Sequence, residues 1–164
     1  MLCILNRYEI SNRPHLFAGR ATTIPTAGAN EDVVLRLLAA EEPMPLEQLH
    51  MPPRNLKEFR ELLKTPYGPI LCAGPTGSGK TTTLHSALGA LNSPELKIWT
   101  AEDPVEISQR GLRQVQVSPK IGFTFAAAMR AFVRADPDLI MVGEIRDRET
   151  AEVAIEASLT GPWC

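Results

Sequence analysis

Residues Gly74-Pro75-Thr76-Gly77-Ser78-Gly79-Lys80-Thr81 satisfy the pattern G-x-x-x-x-G-K-[ST] at every fixed position. Before them stands the apolar run Pro69-Ile70-Leu71-Cys72-Ala73, which reads as a buried strand. After them, Leu84, Ala87, Leu88 and Leu91 recur on one face of a helix that begins near Lys80. A strand, a glycine-rich turn and a helix in this order make a phosphate cradle: backbone amides converge on an anion, and the helix dipole favours negative charge. Lys80 then supplies a point charge to the phosphates and the Thr81 hydroxyl a ligand to magnesium. The competing reading, a glycine-rich turn without a ligand, lacks a reason for both flanks.

The remaining segments alternate strand and helix, which predicts an α/β fold. Residues 19–26 and 32–38 read as two strands of a hairpin presenting Arg20 and Arg36, with Ala27-Gly28-Ala29-Asn30 as the turn. Pro43, Pro45, Pro52 and Pro53 favour an extended linker over 43–54. This divides the chain into an N-terminal α+β part at 1–42 and a nucleotide-binding domain at 55–164. Asn55 is expected to cap a helix to about Lys64. Leu96-Lys97-Ile98-Trp99-Thr100 reads as a core strand, and residues 111–117 as a half-exposed one. Thr124 caps a helix whose apolar face carries Phe125, Met129, Phe132 and Val133. Leu139-Ile140-Met141-Val142, continuously apolar, predicts a strand covered on both faces. Asp147 caps the last helix, with Ala151, Ala154, Ile155 and Ser158 inward.

Carboxylates gather at the ends of two of these strands: Glu102, Asp103 and Glu106 after the first, and Glu144 after the second. In open α/β sheets that edge is where ligands bind. Hydrolysis of a triphosphate needs a magnesium ion and a carboxylate that orients or deprotonates water, and Glu144 is placed for that work. The alternative makes Glu144 and Asp147 ion-pair partners of Arg146, Arg148 or Arg130. His85 reads as a packing or surface residue. With 17 basic and 19 acidic residues, the charge balance gives no reason to expect nucleic acid as a partner. Three cysteines without C-x-x-C spacing argue against a disulfide framework or a zinc site, and no run is long enough to span a membrane. A soluble cytoplasmic protein is expected.

Three segments taken together resemble a family. Residues 74–83, Glu102-Asp103-Pro104-Val105-Glu106, and 136–147 (DPDLIMVGEIRD), continued by Thr150-Ala151-Glu152 and Leu159-Thr160-Gly161, are similar to the motor ATPases of type II secretion and type IV pilus assembly. The resemblance runs from about residue 19 to 161. It implies a RecA-like P-loop core with ATP and Mg2+ as ligands, Gly74, Pro75, Thr76, Gly77, Ser78, Gly79, Lys80, Thr81 and Thr82 contacting nucleotide, and Thr81 and Glu144 serving the metal directly or through water. Glu144, Glu102 and Glu106 would be the catalytic carboxylates, Glu102 chief among those that position water. Arg20 and Arg36 would reach nucleotide phosphates at an interdomain or intersubunit boundary; pairing of Arg36 with Glu31 or Asp32 is the structural alternative. The family also implies a homohexamer and partners in an inner-membrane secretion or pilus platform. Related pilus-retraction and DNA-transfer ATPases share this core, and a non-catalytic nucleotide-binding or assembly module is the other alternative.

The family continues past Gly161 into a core strand between the two strands that carry Lys80 and Glu144, and then into a histidine-bearing segment. A chain without them is expected to leave backbone groups unpaired on two buried edges, each at about 1–3 kcal/mol, and by itself to fold poorly or be inactive.

Overall fold

The computed structural model describes residues 18–25, 31–38 and 42–160. They fall in two compact units, one holding 18–25, 31–38 and 42 with 106–108 and the other 43–105 with 109–160.

The first unit holds an antiparallel hairpin of β1 (Ala18–Pro25) and β2 (Glu31–Leu38). Its β-branched residues favour the pleated backbone, and in the observed register Arg20 is paired directly with Arg36. The expected turn at 27–30 lies outside the described residues.

The second unit is built on a parallel sheet in the order β4-β3-β5, with β3 at Ile98–Glu102, β4 at Arg113–Gln116 and β5 at Leu139–Val142. Side chains alternate across the strands, so each face collects its own core. On one face Ile98, Leu139 and Met141 meet Ala87 and Leu88 of α2 (Lys80–Leu91), with Leu63 closing α1 (Pro53–Leu62). On the other face Ala101 and Ile140 meet Ala128, Met129 and Phe132 of α3 (Phe125–Val133) and Ala154 and Ala157 of α4 (Arg148–Thr160). The result is an α/β sandwich with helices on both faces, as continuous apolar strands require. Trp99 stacks on Phe132 with ring centroids 5.0 Å apart, and the Arg113 guanidinium lies 5.9 Å over the indole.

Two predicted caps are present. The Thr124 hydroxyl accepts from the Ala127 amide at 3.2 Å, and Asp147 accepts from the Thr150 amide at 2.7 Å and from its hydroxyl at 3.0 Å. Other expectations need correction. The first helix starts at Pro53, whose fixed φ and missing N–H suit a first turn, so Asn55 lies inside it. The proline-bearing stretch is packed rather than free: a 3-10 turn at Leu46–Gln48 buries Leu46 against the α2 side of the core. Val133 and Ile155 face solvent at 40% and 57% exposure. Ala157 takes the inward place on α4 expected for Ile155.

Residues 69–73 form no strand, and Leu71 is 77% exposed. A strand exists by its ladder, and among the described residues nothing pairs with this stretch. Between it and β5 lies a cavity of about 520 Å3 lined by Ile70, Leu71, Met141 and Val142 among others. Because β3 is hydrogen-bonded on both sides, hydrogen exchange should show strong protection of amides 98–102 and rapid exchange at 69–73. Equal protection of the two stretches would contradict this arrangement.

Candidate nucleotide site

The glycine-rich turn delivers α2 to the cavity end first. Gly79, the residue before the helix, has φ +86°, a conformation that a side chain strains, and the Thr83 amide closes onto its carbonyl at 2.8 Å. At Gly74 a Cβ would lie 2.7 Å from the Ser78 hydroxyl, so a side chain there would displace that hydroxyl from its contact with Pro75. No side chain caps α2, which leaves its first amides for a ligand in the loop. Lys80 Nζ donates to the carbonyls of Gly74 at 2.9 Å and Pro75 at 2.8 Å, and Ser78 Oγ donates to Pro75 at 2.8 Å. The ammonium is thus held within the mouth of the loop. Thr81 is exposed at the first turn.

Gly74, Lys80, Thr81 and Glu144 line the one cavity between the loop and β5. Lys80 and Glu144 thus line the same cleft. Glu144 accepts from Arg146 at 2.7 Å, yet Arg146 is 79% exposed. A pair so open to water is worth about 0–1 kcal/mol, so it leaves the carboxylate available. The other candidate pairings go elsewhere: Arg130 binds Glu149 and Arg148 binds Glu152. Asp147 is spent on the helix cap. Thr76, Gly77 and Ser78 are exposed along the loop, and Thr82 is half-buried. Glu106 is exposed and belongs to the hairpin unit.

Glu102 is different. It is 4% exposed, on the α2 face of β3, and both its oxygens are engaged. Oε1 accepts from Thr100 Oγ1 at 2.5 Å and Gln114 Nε2 at 3.1 Å, while Oε2 meets His85 Nε2 at 3.3 Å. Burial pushes its pKa upward. Hydrogen bonds from His85, Thr100 and Gln114, with the charge of His85, outweigh burial and hold the carboxyl below the usual range. The expected surface or packing role of His85 is therefore incomplete, because its ring is wholly buried and hydrogen-bonded at both nitrogens. One signal in the sequence pointed to this group: Thr100 and Glu102, two polar residues two apart, stand on one face of an otherwise apolar strand.

A family model described as "Type II/IV secretion system protein" matches residues 9–164. The chain belongs to that family. It is 51% identical over 143 residues, 87% of its length, to the type IV pilus assembly ATPase PilB of Acinetobacter baylyi. It is 50% identical over 143 residues, again 87% of its length, to the type II secretion system ATPase E of Vibrio cholerae. The matches cover 24% and 28% of those proteins, so the chain spans about a quarter of their length. Among solved structures, the pilus retraction motor PilT with bound ADP superposes with a TM-score of 0.81 at 34% identity, over 98% of this chain and 46% of that one. The α/β unit is accordingly part of a RecA-like core of this secretion family.

A carboxyl held at low pKa by folding stabilises the native state above its unfolded pKa of about 4.3, and this contribution disappears as pH falls through the folded value. Glu102→Gln should therefore lower stability at pH 7 by about 1–3 kcal/mol, the scale of hydrogen bonds to a charged group, and flatten the acid limb of the stability–pH curve. Urea unfolding of both proteins between pH 7 and pH 3 checks this.

Proposed function

We propose that the chain supplies the nucleotide-binding part of a cytoplasmic motor ATPase for type II secretion pseudopilus or type IV pilus assembly, acting in a homohexamer docked to an inner-membrane platform. The observation that supports this reading best is the single cavity lined by the phosphate-loop residues Gly74, Lys80 and Thr81 on one side and Glu144 on the other. No described helix is long and apolar enough to cross a membrane.

The residues fit MgATP. A loop with Gly79 in the left-handed conformation, first-turn amides that no side chain caps and an ammonium within the mouth make a triphosphate cradle. Among the described residues no three of His, Cys, Asp and Glu come together. Thr81 and Glu144, which line the same cavity, would hold the magnesium ion directly or through water. Bound magnesium would neutralise the charge that develops on the phosphates. The work of this chain is to exchange the Lys80 contacts with Gly74 and Pro75 for phosphate oxygens, to hold the metal through Thr81, and to accept the proton of the attacking water at Glu144. Arg20 and Arg36, paired in register on the hairpin, would offer phosphate-directed charge at a domain or subunit boundary.

Fluorescent-ATP binding and phosphate release on purified protein test the proposal. Lys80→Ala should weaken binding at least about tenfold, the loss of a charge-assisted contact. Glu144→Gln should keep binding within about threefold and cut turnover by about 10²–10⁴. Release that persists in Glu144→Gln would remove that residue from the chemistry. Binding with no release by the unsubstituted chain would favour a non-catalytic module.

A further inference from the structure

The group around Glu102 forms a closed circuit whose orientations fix one another. Gln109 Nε2 donates to the His85 carbonyl at 2.8 Å, which turns Gln109 Oε1 toward His85 Nδ1 at 3.3 Å. Gln114 Oε1 accepts from the Gln109 amide at 2.8 Å, which turns Gln114 Nε2 toward Glu102. Each amide is therefore set by a backbone contact rather than by the ring. Both ring nitrogens of His85 then face oxygens that can only accept: Gln109 Oε1 at Nδ1 and the Glu102 carboxylate at Nε2. A neutral imidazole satisfies one of them and sets a lone pair against the other. A doubly protonated ring satisfies both, and it supplies the countercharge that a buried carboxylate needs.

We propose that His85 is a positioning residue: as a buried imidazolium it clamps Glu102 inward and so fastens α2, the helix that carries Lys80 and Thr81, to the carboxyl end of β3. Glu102 then acts through geometry, holding the phosphate-loop helix in place, and Glu144 is the carboxylate left facing the cleft. The clamp joins three segments, α2 through His85, β3 through Thr100 and Glu102, and the stretch leading into β4 through Gln109 and Gln114. The ring's charge state does not depend on the nucleotide-site reading; only its service to Lys80 and Thr81 rests on that reading.

The test is the ring itself. Long-range proton–nitrogen correlation on the ¹⁵N-labelled 164-residue chain at pH 7, without nucleotide, should show His85 with hydrogen on both ring nitrogens. A ring with one bare nitrogen, or one averaged over states, overturns the proposal. In ¹³C-labelled protein His85→Asn should shift the Glu102 side-chain carboxyl resonance and leave that of Glu144 in place. Equal shifts of the two, or none at Glu102, also overturn it. Fluorescent-ATP binding measured on the same samples can fail without altering the ring spectrum, so the clamp and the nucleotide site are judged separately.

Discussion

Parallel pairing of β3 on both sides is the constraint on which the α/β unit depends. The ladder with β4 and the ladder with β5 satisfy its backbone completely, and only then can Ile98 and Ala101 be buried without cost. Pairing with β5 brings Glu144 to the cleft edge. Pairing with β4 brings Gln114 under Glu102. The two helical layers follow from alternation along these strands, since each successive residue must find its own apolar cover.

Two acids that look alike in the sequence end in opposite circumstances. Glu144 leaves β5 into a half-exposed setting with an arginine that water screens. Glu102 leaves β3 into a buried one in which both oxygens are hydrogen-bonded. In the first, charge is kept mobile and accessible. In the second, the carboxylate is tied to Thr100, Gln114 and His85. The carboxylates at these strand ends therefore divide by burial, with Glu102 enclosed and Glu144 lining the cavity.

The legible features were those with local causes. The glycine-rich turn into α2, the caps at Thr124 and Asp147, the two-stranded hairpin, and the doubly covered β5 all follow from spacing of a few residues. What escaped the sequence depends on partners far along the chain. Residues 69–73 have the composition of a strand, yet a strand needs a neighbour, and composition cannot say whether one is present. Leu46 was hidden by surrounding prolines, although a buried side chain requires only one favourable direction. His85 could not be read alone, because its partners lie 17 and 24 residues away. Val133 and Ile155 show that an apolar residue on the edge of a helical stripe is decided by where the neighbouring layer ends.

Trp99 sits on the face of β3 opposite Glu102, stacked on Phe132 beneath the Arg113 guanidinium. Neighbouring positions on one strand thus serve the two layers separately, one next to the helix of the phosphate loop and one against α3. An indole placed there is a built-in optical gauge of the far layer. A change in Trp99 emission would report rearrangement of the Phe132 stack or of the Arg113 guanidinium over the ring, on the side of the sheet away from α2.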